Sequence, residues 1–362
     1  MSNRFFAVAL AVLISGWASA SPFPATDVAV TPPVSHTTFR PAGVRPDVSV
    51  AGFETVGGTP TRYYVLGKSN VTSPRLVVFV PGSGCDGAFT AGTDGRAKAG
   101  PEAFALKYAD QATVVALEPP GVPRQFAAPV HGLSEGCPAT FLQQSDFSHL
   151  IASYKTAVDD VIASANRPID AIMFVGVSDG AVTAAALAGE YQQTSHIVLV
   201  SGFGSDQVTG QMDDLVGSVL NAPKDAAARA AVATYASRLI SIRARPSETA
   251  IWQGQSETHW ASTFGKASSA EVAGLAPRVK TLLVQGGADT SWPVANFRRG
   301  LAELLVAGRS AWIQYIPCAD HNLICPNDGG APKNLAGVVD AAMQWFVKGE
   351  PSASWDRLPP SR

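Results

Sequence analysis

The sequence has little charge and no excess of either sign. Only 15% of its 362 residues are Asp, Glu, Lys or Arg, and 27 basic against 29 acidic side chains leave a formal net charge of -2 at pH 7. Hydrophobic residues make up 46% of the chain, enough for a large core, which excludes an intrinsically disordered protein. No broad basic surface is available to neutralise a phosphate backbone, so we expect no nucleic-acid partner.

Metal-binding motifs are missing as well. The chain contains no Cys-x-x-Cys pair and no His-Glu-x-x-His, and its four cysteines are Cys85, Cys137, Cys318 and Cys325. We therefore expect no metal site.

Long hydrophobic runs are absent except for a short one near the N-terminus. Arg4 precedes an apolar run at positions 5–14, and small residues follow at positions 18–20. The run is too short to span about 30 Å of hydrocarbon. This order is typical of a cleavable signal peptide, here residues 1–20. We expect a soluble protein, secreted or periplasmic, with no integral membrane contact once the signal peptide is removed.

Export changes the expected state of the cysteines. In an oxidising compartment an even number favours two disulfides, for which three pairings exist. We favour Cys318 with Cys325, because their short separation closes a small loop, and Cys85 with Cys137 by elimination. Chain-entropy estimates for the two bridges are about 2.5 and 4 kcal/mol respectively. The first bridge would hold the segment that contains His321.

Short apolar runs alternate with segments of helical spacing. The helical periodicity is clearest after Ser145, which we expect to cap a helix that continues to Ile162. Continuous apolar runs are typical of buried parallel strands. The alternation predicts an α/β fold, with a mostly parallel central sheet and helices on both faces. The runs lie at 76–80, 113–117, 171–175, 196–200, 281–284 and 312–316.

Three segments depart from this alternation around a predicted domain at 47–348. A Pro-rich stretch at 21–46 predicts an extended leader. Residues from about 203 to 277 interrupt the alternation of strands and helices, which predicts an inserted cap with a helix at 223–240. Residues 349–362 form a C-terminal tail.

A Gly-x-Ser-x-Gly motif marks the candidate nucleophile, Ser178. The motif lies where the strand at 171–175 runs into an Ala-rich helix. A sharp turn at that place needs small flanking residues, which Gly176 and Gly180 supply. A similar pattern around Ser256 has no buried strand before it, so we expect no reactive serine there.

In this context the chain resembles the α/β-hydrolase family over roughly residues 48–347. In that family the nucleophile is followed along the chain by an acid and then by a histidine. Asp289 lies in a Gly-x-x-Asp turn after a strand, like the family's acid, and His321 follows the last predicted strand, like the family's histidine. The resemblance therefore implies a catalytic set of Ser178, Asp289 and His321. Asp206, after the strand at 196–200, is the rival acid.

The resemblance also implies the position of the oxyanion hole. One donor would be the backbone N–H of Asp179, and the other would come from the loop after the strand at 76–80, where Ser83 aligns best. Proline at position 81 departs from the family's commoner pattern, in which a histidine often precedes the glycine.

The chemistry of a serine nucleophile requires the same three groups. A serine hydroxyl reacts poorly at neutral pH unless an imidazole accepts its proton, and a buried carboxylate holds the imidazole in the correct tautomer. We expect an exported, carboxylesterase-like serine hydrolase that forms an acyl-enzyme and needs no metal or organic cofactor. Its partner would be a small-molecule ester or peptide.

Alternatives remain within and beyond this mechanism. A serine peptidase or an acyltransferase would use the same residues, but the sequence shows neither a propeller nor an acidic cluster that would bind an amine. A non-catalytic binding protein on this fold is less favoured, because a binder has no need of all three groups. The oligomeric state stays open.

Four aromatic residues are candidates for an apolar substrate pocket. Cap segments and the loops at the carboxyl ends of strands line such pockets in α/β proteins. Ordinary packing in the core of the cap is an equally good account of each residue. The candidates are Phe203, Trp252, Trp260 and Trp292.

Overall fold

A ten-stranded sheet forms the centre of the protein. The computed structural model describes residues 36–55, 60–67, 73–329 and 333–358. The predicted signal peptide and the first part of the predicted leader lie outside the described residues. The strands are β1 (His36–Phe39), β2 (Val50–Thr55), β3 (Arg62–Leu66), β4 (Arg75–Val80), β5 (Phe89–Ala91), β6 (Ala97–Ala99), β7 (Thr113–Leu117), β8 (Ala171–Val177), β9 (Thr194–Val200), β10 (Ile251–Trp252), β11 (Gln255–Ser256), β12 (Lys280–Gly286), β13 (Ala311–Ile316) and β14 (Asp356–Leu358).

The middle of the sheet is parallel and its margins are antiparallel. The strand order is β1-β2-β3-β7-β4-β8-β9-β12-β13-β14. Every pairing from β7 to β13 in that order is parallel. The pairings of β1 with β2, β2 with β3, β3 with β7 and β13 with β14 are antiparallel. The carboxyl ends of the parallel strands therefore meet at one edge, where loops can assemble a site.

Helices cover both faces of the sheet. Two 3₁₀ helices span Pro101–Tyr108 and Pro326–Asp328. The α-helices are α1 (Ala139–Gln144), α2 (Phe147–Ala163), α3 (Gly180–Glu190), α4 (Gln207–Asn221), α5 (Ala226–Ala244), α6 (Glu257–Thr263), α7 (Ser268–Gly274), α8 (Val294–Val306) and α9 (Lys333–Lys348).

The hydrophobic core has two halves, one on each face of the sheet. Helices α2, α3, α7 and α8 pack in the first, and α9 with the 3₁₀ helix at 101–108 packs in the second. Burial on both faces explains the continuous apolar runs, because neither face of a central strand meets water. The predicted α/β fold is confirmed. None of the described helices has the length and apolar composition needed to cross a bilayer.

The sheet extends into the segments that the sequence analysis places outside the domain. Strand β1 lies within the predicted leader at 21–46 and pairs with β2. Strand β14 lies within the predicted tail at 349–362 and pairs with β13. Strands of three or four residues are too short to show a hydrophobic pattern in the sequence. They form because they pair with a strand that is distant in sequence.

Two local predictions differ from the structure. Asp146, not Ser145, caps α2, because its side chain accepts hydrogen bonds from the backbone N–H groups of Ser148 and His149, each at 3.1 Å. Ser145 instead ends α1, and its hydroxyl donates to the carbonyl oxygen of Leu142. The helix begins one residue later than predicted, so Asp146 occupies the N-cap position.

The region predicted as a cap at about 203–277 contains α4, α5, the β10–β11 hairpin, α6 and α7. Helix α5 corresponds to the predicted helix at 223–240, whereas α4 has no counterpart in the sequence analysis. Side chains from α4, α5 and α6 form a small hydrophobic cluster of their own. Helix α7 packs instead in the main core through Val272.

Candidate active site

Ser178 lies on a sharp turn between β8 and α3. Its φ of +56° is in the left-handed region, which a non-glycine residue adopts only when its surroundings hold it there. A Cβ atom at Gly176 would overlap the carbonyl oxygen of Gly180, and one at Gly180 would overlap that of Pro81. The two glycines of the motif therefore allow β4, β8 and α3 to approach closely enough to present the serine at the edge of the sheet.

A chain of hydrogen-bonding distances joins Ser178, His321 and Asp289. The Ser178 Oγ atom lies 2.8 Å from His321 Nε2. The other ring nitrogen, Nδ1, lies 2.9 Å from Asp289 Oδ2 and 3.0 Å from Oδ1. The Asp289 side chain is fully buried, while that of His321 is 23% exposed. The structure thus brings together three residues that are widely separated in sequence.

Other groups hold the Asp289 carboxylate in place. Oδ1 accepts hydrogen bonds from the backbone N–H groups of Ser291 and Trp292, at 2.9 and 2.8 Å. Oδ2 accepts one from the Gln285 side chain at 3.2 Å. Such donors compensate a buried carboxylate for the water it has lost.

The rival acid, Asp206, is engaged elsewhere. Its carboxylate caps α4, accepting hydrogen bonds from the backbone N–H of Thr209, at 3.1 Å, and from the Thr209 hydroxyl. The sequence could not separate the two aspartates, because both follow a parallel strand. The structure places Asp289, and not Asp206, against His321.

The loop that carries His321 is restrained on two sides. A disulfide joins Cys318 to Cys325 across it. The Asp320 carboxylate accepts hydrogen bonds from the backbone N–H groups of Asn322 and Ile324, both at 2.9 Å. The restraint matters because Nε2 must stay within hydrogen-bonding distance of the Ser178 hydroxyl.

Removing this disulfide is expected to lower kcat before it unfolds the protein. The Cys318→Ser/Cys325→Ser variant frees a loop of about eight residues, at a cost of about 2.5 kcal/mol in stability. Displacing His321 by about 1 Å would reduce kcat by about 100-fold. Ester turnover and the thermal unfolding midpoint, measured on the same preparations, separate the two effects. A folded variant that lacks the bridge and keeps the native kcat would contradict a positioning role.

The second disulfide joins Cys85 to Cys137, the other pair favoured from the sequence. It ties the loop after β4 to the segment before α1. Asp86 reinforces the connection by accepting hydrogen bonds from the backbone N–H groups of Ala128 and Gly132 and by contacting the His131 ring at 2.7 Å. These contacts fix the loop that contains Ser83.

That loop lies directly against the Ser178 turn. A Cβ atom added to Gly82 would lie 3.4 Å from the Cβ of Ser178. Ser83 donates its hydroxyl to the carbonyl oxygen of Gly132 at 2.9 Å. Within the described residues, neither the backbone N–H of Ser83 nor that of Asp179 forms a hydrogen bond. Both residues line the same cavity as Ser178, so both N–H groups remain available to an oxyanion.

The cavity has a volume of about 660 Å³ and contains Ser178 and His321 in its wall. Among the four aromatic candidates, only Trp260 lines it. Phe203 is buried in the main core against Phe297, and the indole N–H of Trp292 donates to the Phe203 carbonyl. Trp252 packs against Tyr235 within the region predicted as a cap. Phe203, Trp252 and Trp292 are therefore packing residues, the alternative that hydrophobicity alone could not exclude.

Much of the remaining wall is polar and was not predicted from the sequence. Two glutamines come from the start of α4, two from the β10–β11 hairpin, and a carboxyl group from the 3₁₀ helix at 101–108. No motif marks these residues, which are distant in sequence and of types common on surfaces. They are Gln207, Gln211, Gln253, Gln255 and Glu102.

His259 also lines the cavity and is almost fully buried. Its Nδ1 lies 3.3 Å from the carbonyl oxygen of Ser145, and its Nε2 lies 3.8 Å from Asp179 Oδ2. Packing against Trp260 accounts for its burial. Ser256, in the second motif, caps α6 by accepting a hydrogen bond from the backbone N–H of His259, which is a structural role.

Solved structures with a similar fold include two enzymes. The acylaminoacyl peptidase of Pyrococcus horikoshii is 11% identical with a TM-score of 0.53, over 84% of this chain and 43% of the peptidase. The acetyl xylan esterase of Paenibacillus sp. R4 is 15% identical with a TM-score of 0.50, over 87% of this chain and 88% of the esterase. This chain therefore spans less than half the length of the peptidase. No protein-family model matches the sequence, and neither does any curated protein.

These likenesses agree with the observed architecture. Six parallel strands are flanked by helices on both faces, and a serine with positive φ lies at the carboxyl end of β8, where α3 begins. The fold that the sequence predicts is confirmed: the chain has the α/β-hydrolase fold.

Proposed function

We propose that the protein is an exported serine hydrolase that cleaves a carboxylic ester through an acyl-enzyme on Ser178. The observation that carries this proposal is the hydrogen-bonded chain from Ser178 Oγ through His321 to the buried Asp289, open to a cavity at the Ser178 end. A buried carboxylate, an imidazole and a hydroxyl in this order are the parts of an activated serine nucleophile.

The first half-reaction transfers the acyl group to the serine. Nε2 of His321 accepts the Ser178 hydroxyl proton while Oγ attacks the ester carbonyl carbon. Asp289 accepts a hydrogen bond from Nδ1–H, which keeps Nε2 unprotonated before the attack and stabilises the imidazolium after it. The carbon–oxygen bond to the alcohol then breaks, and the imidazolium returns the proton to the departing oxygen.

The second half-reaction repeats these steps with water. His321 accepts a proton from water, the hydroxide oxygen attacks the acyl carbon, and the bond to Oγ breaks as the serine regains its proton. In both halves the negative oxygen of the tetrahedral intermediate would lie against the N–H groups of Ser83 and Asp179. Each such donor contributes about 3 to 4 kcal/mol to the stability of the transition state.

Two further features support this assignment. A cavity of about 660 Å³ falls in the size range of small-molecule sites. Two disulfides in the described part of the chain are typical of proteins that fold in an oxidising compartment, which supports export.

A fluorophosphonate probe and a series of p-nitrophenyl esters, from acetyl to palmitoyl, test the proposal together. We expect one probe per chain, located on Ser178 by peptide mass spectrometry, and loss of ester turnover in proportion to labelling. The chain-length optimum then measures how much of the cavity the acyl group fills. A folded protein that hydrolyses none of the esters and takes no label would overturn the proposal, as would a label on another serine.

A further inference from the structure

Glu102 is a buried carboxyl group on the wall of the candidate active-site cavity. It is the second residue of the 3₁₀ helix at 101–108 and is 4% exposed. Its Oε1 accepts a hydrogen bond of 2.6 Å from the backbone N–H of Gly100. Among the described residues, no Lys, Arg or His forms an ion pair with it, so its hydrogen-bond donors are neutral.

Such a carboxyl group lacks a counter-charge. Burial raises the pKa of Glu102 from its ordinary value to about 7, although the backbone N–H groups of Gly100 and of Glu102 itself oppose the shift. An unpaired buried charge is costly, and a cation that binds beside it offsets part of that cost.

The other titratable groups of the cavity do not supply this cation. Asp86 is paired with His131 at 2.7 Å. Asp179 forms no side-chain hydrogen bond within the described residues, and the nearest imidazole, that of His259, is 3.8 Å away. His321 is committed to Asp289. No lysine or arginine occurs among the described residues that line the cavity, so its surface favours positive over negative ligands.

We propose that Glu102 is a specificity-determining residue that selects substrates carrying an ammonium group. Its carboxylate would attract the cation electrostatically, and the Asp179 carboxylate would add to the favourable potential. Trp260 also lines the cavity, and indole rings attract cations. This inference rests on the proposed ester hydrolysis and names the class of ester.

Matched esters that differ only in charge test the selection. One pair is butyrylcholine and 3,3-dimethylbutyl butyrate, which places the cation on the alcohol side. The other pair is the p-nitrophenyl esters of 4-(trimethylammonio)butyrate and 5,5-dimethylhexanoate, which places it on the acyl side. The measured quantity is the ratio of kcat/KM for the charged ester to that for its neutral isostere. The chemical steps at Ser178 and His321 are common to both esters, so their contribution to kcat/KM cancels in this ratio.

We expect one of the two pairs to show a ratio of about 10 to 100, the size expected for electrostatic attraction between a cation and a carboxylate in a partly desolvated site. Glu102→Gln keeps the shape of the side chain, and we expect it to lower that ratio by about tenfold. The matched control is Glu190→Gln, the same change at the exposed far end of α3, which should leave the ratio unchanged. Ratios near one for both pairs in the native protein would overturn the inference, as would a preference that Glu102→Gln leaves intact.

A second measurement needs no variant. Choline and 3,3-dimethylbutanol, used as competitive inhibitors of neutral-ester hydrolysis, should have inhibition constants that differ by about tenfold or more in favour of choline, because only choline carries the positive charge. Equal inhibition would count against a cation site. Failure of the inference stays distinct from failure of the proposed function, because hydrolysis of the neutral esters and fluorophosphonate labelling of Ser178 report on the latter alone.

Discussion

Replacing Ser178 with alanine is expected to lower kcat for ester hydrolysis by about 10⁵- to 10⁶-fold. Removing the nucleophile of a serine hydrolase abolishes the covalent route and leaves only the contribution of the oxyanion hole and substrate binding. Steady-state turnover of the preferred p-nitrophenyl ester measures the loss. Circular dichroism and the thermal unfolding midpoint establish that the variant is folded.

The second Gly-x-Ser pattern provides a matched control. Ser256 is fully buried and caps α6, so Ser256→Ala should cost about 1 kcal/mol in the free energy of unfolding. Its hydroxyl contacts Ser145 and Thr258 and does not line the cavity, so no comparable loss of kcat is expected. Retained turnover in folded Ser178→Ala would remove Ser178 from the mechanism. Collapse of turnover in folded Ser256→Ala would show that the loss is not specific to Ser178.

Asp289→Asn is expected to lower kcat by about 10⁴-fold while leaving the fold intact. An asparagine amide can donate to Nδ1 of His321, which favours the tautomer with its proton on Nε2. That tautomer cannot accept the Ser178 proton, although every heavy atom is in place. Turnover under saturating substrate measures the effect, and fluorophosphonate labelling should slow in parallel, because labelling uses the same activated hydroxyl.

Asp206→Asn separates the two candidate acids. Asparagine caps helices about as well as aspartate, so α4 should remain stable, and the absence of contact with His321 predicts little change in kcat. A large rate loss in Asp206→Asn together with native turnover in Asp289→Asn would transfer the acid role to Asp206.

The central sheet was predictable because its physics is local. A strand buried on both faces must be apolar at every position, so the segments at 76–80 and 281–284 appear as continuous runs. Strands β1 and β14 were not predicted, since three or four residues at a sheet edge depend on a distant partner. Helix α4 was also missed, although its apolar residues at 208, 212, 215, 216 and 219 follow helical spacing. Glycines at 210 and 217 lower its intrinsic helix propensity, and few of its residues are buried.

The order of the candidate catalytic residues was likewise visible in the sequence. The close approach of backbone segments around Ser178 requires small flanking residues, which the sequence shows. The loops after two later strands place an aspartate and a histidine at the same edge of the sheet. Which aspartate meets the histidine depends on loop conformation. Asp206 turns back to cap α4, and Asp289 is aimed at His321 by donors from its own turn.

By itself, the sequence determined the parallel sheet and the sharp turn at Ser178, because these depend on short-range pattern and backbone sterics. It favoured one of three cysteine pairings, and the structure contains that pairing. Only the tertiary structure decided the wall of the cavity. Hydrophobicity indicates that Phe203 and Trp292 are buried but not which space they fill, and nothing around Glu102 marks it as a cavity residue. Long-range packing brings such residues to one surface, and no local sequence pattern predicts that they will be neighbours.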